Sequence, residues 1–412
     1  MLVAKNRWLI TVAALIFAMP LAADWPQWRG PNRDGVSVDF AAPTAWPATL
    51  KEAWKVTVGE GHSSPVTNTG RIYVLARQGE NEVVLCLDPE DGKQLWRASY
   101  PAPYTMNPAA TGHGKGPKST PAVSGGKLFT LGINGVLSCF GAKSGKLNWR
   151  KEFSKQYPNT SPLYGTAMSP IVANGLCIVH VGGHDKGAST AFDVETGAVK
   201  WANAEDGPAY SSPVLTSLAG ESQLVTYTQS NVVGISATTG KLLWKMANKV
   251  PYDVNSVSPV VYKDLVIFSI YEKGVGAVRL SRQDGRLVPQ DVWRNAAYES
   301  YMNTPVLAGN RLVGFSYKKK GQFFCLEADT GKMLWESAGR MGENAAILNA
   351  GDLFFFLTDE AKLFVLKSNA TSFAPLKEYQ VAASPTWAHP VLLGNRILVK
   401  DKTSLAALAF QQ

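Results

Sequence analysis

AFDVETGAVKW, residues 191–201, is a strand end, an acidic turn closed by glycine, and a tryptophan four residues after that glycine. The same phrase returns as LDPEDGKQLW at 87–96, CFGAKSGKLNW at 139–149, ISATTGKLLW at 235–244 and CLEADTGKMLW at 325–335. A sixth copy, Arg279 to Trp293, carries four extra residues between Gly285 and its tryptophan. The chemistry is that of a tight hairpin. Asp, Ser or Thr bonds the turn backbone, and glycine takes the positive φ that other residues resist. The tryptophan that follows offers a large face to bury against a neighbouring unit.

A second phrase opens each unit: small or hydroxyl residues, then proline, then Val-like residues. It reads Ser63-Ser64-Pro65, Ser119-Thr120-Pro121, Met168-Ser169-Pro170, Ser211-Ser212-Pro213, Val257-Ser258-Pro259 and Asn303-Thr304-Pro305. Asn344-Ala345-Ala346 is a degenerate copy, and His389-Pro390 begins the last, giving eight starts. Proline suits the first residue of a strand, where no ladder donor is lost. Each intact start precedes its tryptophan by 28 to 34 residues. By that spacing Leu376 stands where the seventh tryptophan belongs, and the eighth unit is left without a last strand. KEAWKVTV, residues 51–58, precedes the first start and carries a spare Trp54. Pairing it with the C-terminal unit closes a ring and leaves no sheet edge open. Repeats of this length read as a propeller rather than as separate domains. The expected fold is an all-β, eight-bladed β-propeller of four-stranded antiparallel blades. Trp54, Trp96, Trp149, Trp201, Trp244, Trp293 and Trp335 are its anchors, and Gly92, Gly145, Gly197, Gly240 and Gly331 its turns.

These motifs resemble the PQQ-like repeat family of eight-bladed propellers, over nearly all of residues 46–412. The segment Asp24-Trp25-Pro26-Gln27-Trp28-Arg29-Gly30-Pro31 through Ser37 resembles the opening of exported bacterial propellers of this type. The resemblance leaves two branches. One holds quinoprotein alcohol and sugar dehydrogenases. The other holds non-catalytic propellers, such as the periplasmic scaffold of the outer-membrane β-barrel assembly machine.

Three regions follow along the chain: a signal peptide at 1–23, an N-terminal extension at 24–45, and one propeller at 46–412. Lys5 and Arg7 precede an apolar run from Trp8 to Met19, and Ala22-Ala23 offers a cleavage point. No cysteine follows that run, so a lipid anchor is not expected. The mature chain is expected to be exported or periplasmic, monomeric and without a transmembrane segment. The extension, rich in Pro, Gly and Trp, either packs across the closure seam or serves as a docking arm. Net charge is +9, but no nucleic-acid motif is present, and Lys318-Lys319-Lys320 reads as a hairpin tip. Cys86, Cys139, Cys177 and Cys325 read as small core residues, since three of them fall at one repeat position in different blades.

A quinoprotein dehydrogenase needs a hard cation held by oxygen ligands and a carboxylate base. Its alcohol-oxidising branch roofs the cofactor with a disulfide between adjacent cysteines, and no two cysteines here are adjacent. The best fragment is Tyr252-Asp253-Val254-Asn255, with Asp253 as a candidate base and Asn255 as a candidate cation ligand. The duller reading is a turn with Asx hydrogen bonds. No cofactor and no metal are expected; PQQ and Ca²⁺ belong only to the dehydrogenase reading. Binding is expected instead in long loops that lead into innermost strands. Loop 97–118 supplies Tyr104, His113, Lys115 and Lys118, and loop 150–166 supplies Tyr157 and Tyr164. Tyr210, Tyr298, Tyr301, Trp387 and His389 are expected on the same face, with His62 near the channel. His180 and His184 are expected across a Gly182-Gly183 turn. The favoured function is a non-catalytic scaffold that binds a protein or an envelope polymer. The alternatives are a quinone-dependent oxidoreductase, and carbohydrate or small-ligand binding in the central channel.

Overall fold

A computed structural model of the chain describes residues 24–204 and 206–410. The expected signal peptide lies outside the described residues. The described residues form eight four-stranded antiparallel sheets, seven of them simple meanders of consecutive strands. Blade three is typical: Ile171–Ala173 innermost, then Leu176–Gly183, Lys186–Asp193 and Val199–Asn203 outermost. The middle strands are buried on both faces, as in Ile72–Gln78 and Leu353–Thr358. They are accordingly continuous apolar runs, while the outermost strands alternate.

The eighth blade takes Val391–Leu393, Arg396–Lys400 and Ser404–Ala409 from the C-terminal end and Lys51–Thr57 from the other. Pairing runs from Lys51 opposite Ala409 to Thr57 opposite Ser404, with a bulge between Glu52 and Trp54. Trp54 therefore anchors blade eight, and the ring has no open edge.

Each anchor tryptophan stands across the ladder from a small residue: Cys86, Cys139, Ala191, Gly234, Ala277, Cys325 or Ala407. A register shift adjoins the tryptophan pair in all seven of these blades. Blade seven has no such shift and no tryptophan. The bulge adds a residue to one strand and bends it. The indole then leans onto the next blade, where it covers that blade's turn glycine. A Cβ on Gly145 would meet Trp96 Cε3 at 2.6 Å, and one on Gly197 would meet Trp149 at 2.8 Å. The indole N–H donates to a turn carbonyl of the same neighbour: Trp54 to Pro89 (2.9 Å), Trp96 to Ala142 (3.0 Å), Trp293 to Ala328 (3.0 Å). All four cysteines are buried and unbridged.

Two blades break the rule. The lengthened blade-five hairpin carries Gly285 into open space, and Trp244 turns to its own blade, donating to Gln223 Oε1 at 2.6 Å. In blade seven Leu376 is 40% exposed and is no anchor. Phe373, in the blade-seven hairpin, packs back on blade six, meeting Trp335 at 6.1 Å and stacking on Phe323 at 5.2 Å. Tyr379 is the buried residue of the outermost blade-seven strand. Lys318–Lys320 is a 3₁₀ turn at a hairpin tip. The blade-three hairpin turns at His184-Asp185, because Gly183 still pairs with Lys186; the expected Gly182-Gly183 turn sits one step too early.

The innermost starts form a ring of their own. His389 N–H donates to Ser64 Oγ, Ser64 N–H to Thr120 Oγ1, and Thr120 N–H to Ser169 Oγ. Ser169 N–H continues to Ser212 Oγ, Ser212 N–H to Ser258 Oγ and Ser258 N–H to Thr304 Oγ1, all at 2.9–3.1 Å. Six inter-blade joints thus use the same bond. At the degenerate seventh start it lapses, and Asn344 N–H donates instead to Asp359 Oδ1.

The extension threads this ring. Trp25 bridges Thr67 of blade one, Pro26 accepts from Val123 N–H of blade two, and Val36 bridges Asn349 of blade seven. The Arg33 guanidinium donates to the carbonyls of Ser169, Pro170 and Pro213, and Arg29 to that of Pro305. Farther along, Phe40 and Trp46 pack on Phe355 and Phe410, over the seam between blades seven and eight. The extension is a plug and a seam cover.

Candidate functional site at the channel mouth

Above the plug lies a cavity of about 410 Å³. Its floor is Trp28, its collar is the hydroxyl ring, and its wall comes from the loops that enter the innermost strands. The loop into blade two contributes a 3₁₀ turn, Pro108–His113, capped by Asn107 Oδ1 on Ala109 N–H. That turn projects His113 over the channel, and Lys118 follows, its ammonium donating to Tyr164 O at 2.6 Å. Tyr164 N–H in turn donates to Tyr210 Oη at 3.3 Å. Opposite, the loop into blade eight presents Trp387 and His389. His62 stacks on Trp387 at 5.5 Å with 11° between planes, and His113 meets the same indole edge-on at 4.8 Å.

Burial holds these imidazoles neutral. His389 is pushed down to about 3 by desolvation and by nearby Arg29, and its Nδ1 has no partner among the described residues. Desolvation also lowers His62 well below its usual value, with His113, Lys118 and Lys400 adding to the effect. Lys118 falls to about 8 through desolvation. The lining carries aromatic faces, imidazoles, hydroxyls and one ammonium, and no carboxylate among the described residues.

Seven expected residues meet here: His113, Lys118, Tyr164, Tyr210, Tyr301, Trp387 and His389, together with His62. Others do not. Tyr104 places its hydroxyl beside Gly165, and neither it nor Lys115 is in the cavity lining. Tyr157 packs instead against the blade-two and blade-three core around Phe129, Trp149 and Phe192. Tyr298 is buried on Phe324 and donates to Glu336 Oε2 at 2.6 Å. Asn255 is buried with its side chain committed to neighbouring loops: its amide donates to the carbonyls of Asn248, Thr228 and Gln229, and its Oδ1 accepts from Asn248 Nδ2. None of these is the expected Asx bond of its own turn. Asp253 stands outside the lining, 3.3 Å from His184 Nδ1 and 3.2 Å from Gln229 Nε2. Between them Tyr252 and Asp253 take left-handed φ values of 59° and 54°, which sets Tyr252 at the rim, 69% exposed. His180 is buried on Asp206 O at 2.9 Å, away from His184.

Sequence reasoning missed Trp28, whose position depends on the plug, and Asn344, 8% exposed with its Oδ1 unpartnered among the described residues. It also missed the collar as a lining. The signal was present in the Ser/Thr before each proline, but it read only as a strand start.

A family model described as outer membrane protein assembly factor BamB matches residues 36–106 and 80–337. The chain belongs to this PQQ-like propeller family. An outer membrane protein assembly factor BamB of Shewanella oneidensis is 22% identical over 268 residues, covering 62% of this chain and 66% of that protein. The dehydrogenase subunit of a quinone alcohol dehydrogenase from Gluconacetobacter polyoxogenes is 26% identical over 321 residues. That match covers 69% of this chain but 41% of the dehydrogenase. The crystal structure of BamB from Moraxella catarrhalis superposes with a TM-score of 0.63 at 14% identity, over 89% of this chain and 99% of that one. The superposition carries the fold. Both branches of the PQQ-like family share it, so function rests on the cavity.

Proposed function

We propose that this PQQ-like propeller is a non-catalytic scaffold of the cell envelope. It binds a protein or an envelope polymer through the face that carries the channel mouth. One observation carries the reading: the cavity lining has no Asp or Glu among the described residues. A dehydrogenase of this fold needs oxygen ligands for a hard cation and a carboxylate base beside the substrate. The residues present do not fit that set. The Asn255 amide is committed to Asn248, Thr228 and Gln229, and Asp253 is engaged with His184 and Gln229 outside the lining. The name of the Shewanella relative, an assembly factor, supports a binding role for this chain in the envelope.

Two measurements test the proposal. Purified protein is mixed with PQQ and Ca²⁺ and assayed for dye reduction across alcohols and sugars; no turnover is expected, and sustained turnover overturns the reading. A photo-crosslinking residue at the exposed Tyr252 position is then activated in intact envelopes. A discrete adduct is expected, and its absence at every rim position tried would remove the scaffold role.

A further inference from the structure

The collar hydroxyls have a property that follows from how the ring closes. Each of them accepts an N–H from the preceding blade, which uses oxygen lone-pair capacity and leaves its own O–H proton unspent. Among the described residues none of the six donates to a protein acceptor. Five of them, Ser64, Thr120, Ser212, Ser258 and Thr304, line the cavity, and each is no more than 3% exposed. Five buried donors therefore converge on the channel axis without acceptors, and a buried donor left unmet is costly.

The one charged side chain in the lining, Lys118, is positive, and so are Arg29 and Arg33, fully buried in the plug beneath it. These guanidiniums donate to backbone carbonyls, and neither forms an ion pair among the described residues. A cation on the hydroxyl oxygens would face three like charges. An anion would meet them with opposite sign in a poorly solvated site. A carboxylate has acceptor sites for several donors at once, and bonds to an ionised acceptor are the stronger kind. Flat faces flank the collar: Trp28 from below and the His62–Trp387 stack from the side.

We infer that the channel mouth is a carboxylate-binding site, taking a small acid whose charged group sits on the hydroxyl collar and whose ring lies against Trp28 or Trp387. The ring is either aromatic or the pyranose of an acidic sugar, since both stack on indole. The inference deepens the proposed function by naming the chemistry of the face through which this propeller binds.

Titration calorimetry of the purified protein with benzoate and with glucuronate tests it, with benzamide and glucose as neutral counterparts. At least one acid is expected to bind about tenfold or more tighter than its neutral counterpart. Binding is expected to weaken with added salt and as pH rises past 8. Whichever acid binds identifies the ring. Ser212→Ala, Ser258→Ala and Lys118→Gln should each weaken it. Ser337→Ala is the decisive control, because Ser337 is a buried hydroxyl that likewise accepts a backbone N–H, from Phe323, but lies outside the collar and the cavity lining. It should leave acid binding unchanged. Equal binding of acids and neutral counterparts, no binding of either acid, or an equal loss in Ser337→Ala and Ser212→Ala would each overturn the inference. A rim crosslink without acid binding would remove this inference alone. Quinone turnover with acid binding intact would remove the scaffold reading alone.

Discussion

Gly145 is fixed by two constraints at once. Its φ is 69°, and the Trp96 indole occupies the space a Cβ would need. Gly285, at φ 78°, has the first constraint without the second, since nothing lies within 4 Å of its Cβ direction. The pair separates backbone strain from packing. Gly285→Ala should cost about 1 kcal/mol, and Gly145→Ala about 2–4 kcal/mol, because an indole must also be displaced. Thermal unfolding of the two variants checks this; equal shifts would show that Trp96 yields freely. The buried histidines set an acid limit in the same way. Burial holds His180 near 4 and His389 near 3, against about 6.5 when unfolded. The unfolded chain then binds more protons as pH drops below 6.5. Stability is full above that pH and is lost toward the folded values, by up to about 1.4 kcal/mol per pH unit for each histidine. The melting temperature should fall between pH 7 and pH 4.5, and His389→Gln should flatten the decline.

At the scale of the blade, turn and anchor are two halves of one joint belonging to different blades. The glycine of one hairpin was legible from its own residues, and so was the tryptophan of the next. That they meet was not, because the contact spans 38 to 49 residues and depends on a bulge that aims the indole outward. The small residue opposite each tryptophan explains why three cysteines recur at one repeat position. Leu376 shows the limit of counting: spacing placed a residue at the anchor, but the buried residue of that outermost strand is Tyr379, three positions later. The loop residues divide likewise. His113 reaches the cavity as the last residue of a 3₁₀ turn, and Lys118 follows it there. Asn255 carries the polar atoms a cation site would want, yet they are spent on Asn248 and on the Thr228 and Gln229 carbonyls.

For the whole molecule, closure by Lys51–Thr57 makes a strong demand. Removing residues 46–58 leaves Ser404–Ala409 as an unpaired buried edge and strips Trp54 from the blade-one turn. Such a chain should aggregate on size-exclusion chromatography. A monomeric product with unchanged melting temperature would refute the closure. The sequence by itself determined the number of blades, their strand order and the ring closure, because each rests on a local rule: proline at a strand start, glycine at a turn, tryptophan at fixed spacing. Only the tertiary structure decided which residues line the channel mouth. It turned six separate Ser/Thr-Pro starts into one collar and drew the Trp28 floor across the channel. It also left Asp253 outside and positive charge within. Those relations join residues hundreds of positions apart around a ring axis, and no local rule of spacing refers to that axis.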